Sequence, residues 1–135
     1  MFKAWFKVAE IPAGGFAWSP GDIPLVRART VSLTCKVKYD ASATKGVTVK
    51  VYYSPNGKSW DTVAIDDFDV DLTAGQTVQK TYLVAVPEHG YLRAQVVNND
   101  SSVSVKNVTV WYSIQSWAGK GVQEEQIITR DVGEA

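Results

Sequence analysis

The chain has 135 residues, which is the length of one domain with a single hydrophobic core. Lysine plus arginine equals aspartate plus glutamate at 14 each, so the chain lacks the basic excess of a protein that binds nucleic acid through its phosphates. No apolar run approaches the ~18 residues of a membrane span, and a single cysteine rules out an internal disulfide. We expect neither a nucleic-acid nor a membrane partner. The N-terminus lacks the apolar stretch of a signal peptide, so we expect a product made in the cytoplasm.

The first segment, residues 1–24, combines aromatic side chains with residues that break regular structure. Its aromatic residues are Phe2, Trp5, Phe6, Phe16 and Trp18, and its breakers are Pro12, Gly14, Gly15, Pro20, Gly21 and Pro24. Because proline cannot donate a hydrogen bond in a central strand, we expect an extended N-terminal arm rather than a regular strand. This arm either packs on its own domain or reaches a neighbouring subunit. In the second case, its five aromatic residues are the predicted assembly contacts.

Two strands are predicted next. From Val31 to Tyr39 the odd positions are apolar and the even positions polar, which is the period of a strand with one buried face. Residues 47–53 alternate in the same way and lead into a Pro-Asn-Gly turn at 55–57. We expect residues 60–65 to return as the hairpin partner of this strand.

The remaining strands follow at short intervals. Apolar residues alternate with aspartates over 67–72, and strands are predicted over 77–86, 91–97 and 103–114, the last with a break near Lys106 and Asn107. Valine outnumbers leucine 20 to 5, and no helical period is visible. The sequence therefore predicts an all-β protein, an antiparallel β-sandwich over residues 25–115, jelly-roll or immunoglobulin-like. Residues 116–135 are predicted to be a C-terminal arm in which Trp117 also makes assembly contacts.

No residues in the sequence combine into a recognisable active site. His89, the one histidine, lies in a turn without a nucleophile and an orienting acid nearby in the sequence. Cys35 falls in the apolar phase of a strand, so we expect a small buried side chain rather than a nucleophile. We therefore predict no catalytic residues, no enzyme activity and no cofactor.

One carboxylate cluster raises the possibility of a metal. In a strand, Asp67, Asp69 and Asp71 share a face, and carboxylate oxygens are the ligands that calcium prefers. Apolar residues fill the intervening positions, however, and no glycine or distal glutamate completes a calcium loop. We predict a solvated acidic strand and no metal, with calcium binding by these three residues as the weaker alternative.

Exposed aromatic residues suggest a second kind of binding. Tyr52 and Trp111 fall in the polar phase of their strands, so we expect both to face outward. Outward aromatic rings on a β-sandwich would stack on sugar rings, as in carbohydrate-binding modules. The other interpretation is that these rings are covered by a subunit contact.

Two stretches resemble a known group of proteins. Val51-Tyr52-Tyr53-Ser54-Pro55-Asn56-Gly57-Lys58-Ser59-Trp60-Asp61-Thr62 resembles a hairpin of small β-sandwich virion proteins of tailed phages and prophages. Gly90-Tyr91-Leu92-Arg93-Ala94-Gln95-Val96-Val97-Asn98-Asn99-Asp100 is similar to a later strand of the same proteins, and residues 105–112 are similar to their final strand. The resemblance covers roughly residues 46–113. A weaker similarity exists to discoidin-type sandwiches, which bind sugars or lipids.

The phage resemblance implies a virion structural protein made in the host cytoplasm. Such sandwiches serve as capsid decoration or minor capsid proteins, or as tail and fibre components, and they bind through their termini. The resemblance therefore implies that the partners are copies of this chain and other virion proteins. A carbohydrate-binding module is the alternative function.

Overall fold

The computed structural model describes residues 1–117, and within this range it contains nine β-strands and no helix that could span a membrane. The strands are β1 (Lys3–Ile11), β2 (Phe16–Trp18), β3 (Ile23–Leu25), β4 (Ala28–Lys38), β5 (Val47–Ser54), β6 (Asp66–Val70), β7 (Thr77–Ala85), β8 (Gly90–Asn98) and β9 (Val105–Ser116). The predicted C-terminal arm, apart from its first two residues, lies outside the described residues.

The strands form two antiparallel sheets. Sheet A has the order β1-β9-β4-β7, and sheet B has the order β2-β8-β5-β6 with β3 also paired to β8. The chain folds as one long hairpin in which β1 pairs with β9, β2 and β3 with β8, β4 with β7, and β5 with β6. When this hairpin wraps on itself, β4 also pairs with β9 and β5 with β8. The predicted β-sandwich is confirmed, and its strand order is that of a jelly roll rather than an immunoglobulin domain.

The hydrophobic core lies between the two sheets and is built from the inward phase of each strand. In β4, the odd positions from Val31 to Val37 have no exposed surface, as the alternating pattern predicted. Val47, Val49 and Val51 of β5 are equally buried on the facing sheet. Each such side chain contributes roughly 1.5–3 kcal/mol relative to exposure, so these two strands supply a large part of the stability.

The N-terminal segment belongs to the sandwich, so the expectation of a separate arm over residues 1–24 is wrong. β1 runs antiparallel to β9 at the edge of sheet A, from Lys3 opposite Tyr112 to Ile11 opposite Val105. β2 and β3 pair with β8 at the edge of sheet B. Most of the glycine and proline breakers lie in the connections at 12–15 and 19–22, between strands rather than within them. They therefore divide the segment into short edge strands without preventing strand pairing.

The connection after β5 differs from the predicted hairpin. The partner of β5 is β6, which pairs from Val51 opposite Asp66 to Val47 opposite Val70, and residues 60–65 form a loop instead of a strand. The predicted break near Lys106 is confirmed. Asn107 has a φ of +52°, and the β4–β9 register shifts at the same place, which is the signature of a β-bulge.

Candidate functional site

Four side chains meet on the outer face of sheet B and form what we call the tryptophan–arginine cluster: Trp18, Tyr52, Trp60 and Arg93. Arg93 points outward from the middle of β8, because its neighbours in the strand are buried, and Tyr52 lies directly opposite it on β5. Trp18 comes from β2, and Trp60 from the loop after β5. The guanidinium carbon lies 4.4 Å from the Trp18 ring centroid and 4.5 Å from the Trp60 ring centroid. The guanidinium therefore makes cation–π contacts with both indoles, which restrict its orientation.

The cluster continues into accessible aromatic surface at the β2 edge. The Trp18 ring lies 5.3 Å from that of Tyr52 and meets Phe16 edge to face at 6.4 Å. Phe16 is 57% exposed and Trp18 is 39% exposed. Gln95 lies between Trp18 and Lys50 across the sheet and places polar groups beside the rings. The face thus combines accessible rings with a few polar side chains, which is the usual composition of a ligand site.

The two residues predicted to stack on sugars lie on opposite faces of the sandwich. Trp111 lies opposite Thr34 on the outer face of sheet A, where Lys36 approaches its ring to 5.9 Å. Tyr52 is on the outer face of sheet B. The prediction that both residues are outside is confirmed, because they occupy the outward phase and are only partly buried. The two rings cannot contact the same sugar, because the whole core separates them.

The three aspartates of the calcium alternative do not converge. Asp67 and Asp69 lie on the outer face of β6, opposite Lys50 and Thr48 of β5, and Asp71 follows the end of the strand. Asp69 accepts a hydrogen bond of 2.7 Å from the Thr48 hydroxyl. Within residues 1–117, no three histidine, cysteine, aspartate or glutamate side chains gather closely enough to hold a metal ion. The extended strand explains this, because it spaces its side chains along a line.

His89 and Cys35 lie in surroundings that do not suit a catalytic role. His89 is exposed, and its backbone carbonyl accepts a hydrogen bond from the Tyr53 hydroxyl. Cys35 has no exposed surface, and its burial raises the pKa of the thiol to about 12. A thiol with this pKa is almost wholly protonated near neutral pH and is therefore a poor nucleophile.

The predicted assembly residues divide into two groups. Trp5 and Phe6 serve the chain's own core, so for them the prediction is wrong: Phe6 is only 8% exposed, and Trp5 packs edge-on against both Phe6 and Tyr112. The Trp5 indole also donates a hydrogen bond to the Gly21 carbonyl. The second group consists of the predicted assembly residues that are exposed: Phe2, Phe16, Trp18 and Trp117.

The first stretch of the phage resemblance, residues 51–62, contains a turn that is closed by side-chain hydrogen bonds. The buried Ser54 hydroxyl accepts hydrogen bonds from the backbone N–H groups of Asn56 and Gly57, and the Asn56 side chain accepts from those of Lys58 and Ser59. Gly57 has a φ of +75°, a conformation that glycine adopts without strain. These residues close the turn. They do not form a reactive site.

The second stretch, residues 90–100, ends in two side chains that hydrogen-bond to the backbone of neighbouring segments. The Asn98 amide donates to the carbonyls of Ile11, Pro12 and Val103, and so ties two segments to the end of β8. The Asp100 carboxylate accepts from the N–H groups of Thr44 at 2.7 Å and Ser102 at 2.8 Å. These backbone hydrogen bonds, that of Thr44 first, hold the pKa of Asp100 well below its usual range.

Sequence reasoning missed Arg93 and Trp60 as members of one site. Both lie within the motif stretches, but their contact joins β8 to a loop thirty residues earlier and has no local pattern. Trp18 was predicted as an assembly contact because its segment was expected to be an arm. The cluster follows from the pairing of Trp18 with Gln95, which brings β2 alongside Arg93. This pairing is not visible in the local sequence.

Comparisons with known proteins show the fold alone. No family model matches the sequence, and no curated protein matches it significantly. A chain from the T13 IBDV viral particle has a TM-score of 0.50 at 12% identity, over 85% of this chain and 30% of that chain. The C-terminal CBM6 of LamC from Zobellia galactanivorans has a TM-score of 0.49 at 13% identity, over 82% of this chain and 93% of its own. The Yersinia pseudotuberculosis-derived mitogen has a TM-score of 0.49 at 14% identity, over 89% of this chain and 91% of its own. The chain is thus a β-sandwich with low-identity structural neighbours of several kinds.

Proposed function

We propose that this chain is a structural protein of a phage particle, a capsid decoration or minor capsid protein that acts by protein–protein assembly and has no enzyme activity. The observation that carries the proposal is that the two motif stretches pair with each other. β5 and β8 lie side by side in sheet B, with Tyr52 opposite Arg93 and Ser54 opposite Tyr91. The resemblance therefore falls on one connected part of the molecule. Jelly rolls occur in viral capsid proteins and in lectins, so the fold suits this role.

The assembly surface in this proposal is the end of the sandwich where β1 begins and β9 ends. Val26 and Trp117 are exposed there by 67% and 50%. Phe2, which is 47% exposed, lies instead on the outer face of sheet A beside Thr34 and Trp111. The Trp117 N–H donates to the Arg27 carbonyl at 2.9 Å, and the Arg29 guanidinium lies 5.1 Å from the Trp117 ring. Trp117 is therefore held in place before a partner arrives, which reduces the entropy lost on binding.

The partners in this proposal are copies of the chain and other virion proteins, with neither nucleic acid nor membrane involved. Large exposed apolar side chains, enriched in aromatics, are typical of protein contact surfaces. The chain would be made in the host cytoplasm and incorporated into the particle there. A tail or fibre component is the alternative within the same class, because it would use the same surface.

The experiment is to identify the chain in purified particles. Phage is induced from cells that carry the gene, heads and tails are separated on a density gradient, and peptides of this chain are quantified by mass spectrometry. We expect many copies per particle in the head fraction, whereas recovery with the tails supports the tail alternative. Absence from both fractions, at the level of a host cytoplasmic protein used as a control, contradicts the proposal.

A matched pair of variants tests the surface. Trp117→Ala is expected to lower incorporation into particles several-fold, because it removes the exposed anchor. Leu72→Ala removes an exposed apolar side chain at the opposite end of the sandwich and should leave incorporation unchanged. Equal incorporation of both variants would contradict the placement of the assembly surface at this end of the molecule.

A further inference from the structure

The tryptophan–arginine cluster is built around the Arg93 guanidinium, whose described contacts within residues 1–117 are with aromatic rings rather than with a carboxylate. The contacts of the Arg93 guanidinium described above are with the ring faces of Trp18 and Trp60, which do not neutralise its charge. Its Nε is buried and has no hydrogen-bond partner among residues 1–117. Buried donors without partners are uncommon in folded proteins and call for an explanation. Because Nε is buried, the donors that a ligand could reach are those of the two terminal nitrogens of the same guanidinium, which are not among the buried unpartnered atoms of residues 1–117.

The geometry determines which part of Arg93 a ligand can use. A guanidinium carries five N–H donors in one plane and no acceptor, and here its carbon lies over the faces of two indole rings. Its donors therefore remain at the rim of the plane, in the fork that suits a carboxylate. Because stacking already fixes the orientation of the side chain, little further ordering is needed when a ligand binds.

The accessible aromatic rings beside the guanidinium are suited to the apolar face of a sugar ring. A pyranose ring has an apolar face of C–H groups and a polar rim of hydroxyls. Trp18 and Phe16 offer exposed ring surface for the apolar face, and Gln95 lies opposite Trp18 to meet the rim. Aromatic surface with a few convergent polar groups is the usual make-up of a small-molecule site.

The charges on the rest of this face favour an isolated carboxylate over a polyanion. Asp67 and Asp69 lie on the outer face of β6, two strands from Arg93 in the same sheet. A nucleic acid lying across the sheet would bring further phosphates to these carboxylates, and the chain has no net positive charge to offset the repulsion. A saccharide with its carboxylate at Arg93 avoids this contact.

We propose that the outer face of sheet B binds an acidic saccharide, with its sugar ring on Trp18 and its carboxylate on Arg93. The cation–π contact with Trp60 helps to position the guanidinium, and Tyr52 supports the Trp18 ring. The inference concerns a ligand site and does not depend on where the chain sits in a particle.

The experiment measures binding of the full chain to defined acidic glycans by calorimetry and by tryptophan fluorescence. The probes are trigalacturonate, 3′-sialyllactose and a hyaluronan tetrasaccharide, each compared with its carboxyl-reduced, neutral form. We expect saturable binding of at least one acidic probe with a Kd in the millimolar range or tighter, at least tenfold tighter than its neutral form. No saturable binding of any acidic probe up to 10 mM overturns the proposal.

Three variants, each checked for folding by circular dichroism, locate the site. Trp18→Ala should weaken binding at least tenfold, and Arg93→Gln should remove the preference for the acidic probe, because glutamine carries neither the positive charge nor the guanidinium fork. Trp111→Ala is the matched control on the opposite face and should change affinity less than twofold. Unchanged binding by Trp18→Ala, or equal affinity of the natural protein for acidic and neutral probes, contradicts the assignment. If purified particle proteins, rather than any saccharide, bind in a Trp18-dependent way, the face is a protein interface and the proposal is wrong.

Discussion

Tyr39 joins the two sheets, and removing its hydroxyl gives a quantitative test of the fold. Tyr39 follows the end of β4 in sheet A and is only 2% exposed. Its hydroxyl donates to the Val70 carbonyl of β6 and accepts from the Val47 N–H of β5 at 2.9 Å. Burial, with smaller contributions from its surroundings, raises the pKa of the phenol to about 12, so the group is neutral at physiological pH. It therefore acts as a neutral donor and acceptor.

Tyr39→Phe keeps the ring and removes both hydrogen bonds. A buried polar group left without a partner costs about 1–3 kcal/mol, and partial relaxation of two such groups leads us to expect a loss of about 2–3 kcal/mol in the free energy of unfolding. For a domain of this length, Tm should fall by roughly 6–10 °C. Urea denaturation monitored by fluorescence and circular dichroism measures the loss.

Tyr82→Phe is the control for this prediction. The Tyr82 ring stacks on Phe68 at 5.1 Å, and its hydroxyl makes a longer, part-buried hydrogen bond of 3.3 Å to Asp66. Removing it should cost less than about 1 kcal/mol. If Tyr39→Phe is no more destabilising than Tyr82→Phe, the hydroxyl of Tyr39 does not hold the sheets together and the reasoning fails.

Three further predictions concern burial, backbone conformation and charge. Because burial raises its pKa to about 12, the Cys35 thiol should react with a disulfide reagent at pH 8 only as fast as the protein unfolds; rapid labelling of the folded protein would contradict this. Gly90 has a φ of +127°, and a Cβ there would lie 2.5 Å from the Tyr53 hydroxyl. Gly90→Ala should therefore lower the free energy of unfolding by more than about 2 kcal/mol, as measured by denaturation. Gly21→Ala is the control and should change it little, because a Cβ there meets open space. The pKa of Asp100 is depressed by folding, so its contribution to stability is present above the unfolded pKa of about 3.9 and is lost as the pH falls towards the folded value. Denaturation midpoints should therefore drop more steeply below pH 4 in the natural protein than in Asp100→Asn, and parallel curves would refute the assignment.

The sequence predicted the strands whose patterns are local. Residues 31–39 alternate strictly because one face of β4 lies in the core, and the bulge near Lys106 leaves a visible break in the pattern of β9. The N-terminal strands were mistaken for an arm because their edge positions tolerate breakers between short pairing segments. The choice between jelly roll and immunoglobulin fold depends on which distant strands pair, and no local pattern encodes that.

The candidate site was less predictable than the fold. Tyr52 was correctly placed outside, but Trp18 reaches it from an edge strand, and Trp60 joins the cluster from a loop by its contact with Arg93. The contact between Arg93 and Trp18 spans most of the described chain and exists only because β2 pairs with β8. A side-chain cluster of this kind follows from topology, so sequence reasoning finds its members one at a time and does not find their arrangement.

A cryo-electron microscopy map of the purified particle tests the central proposal most directly. We predict a jelly-roll density on the capsid, attached through the end that bears Val26 and Trp117, with the outer face of sheet B open to solvent. A map of heads and tails at side-chain resolution that contains no such density would contradict a structural role in the particle. A map in which this end of the sandwich is free, while the protein attaches by another surface, would contradict the assembly surface proposed for it.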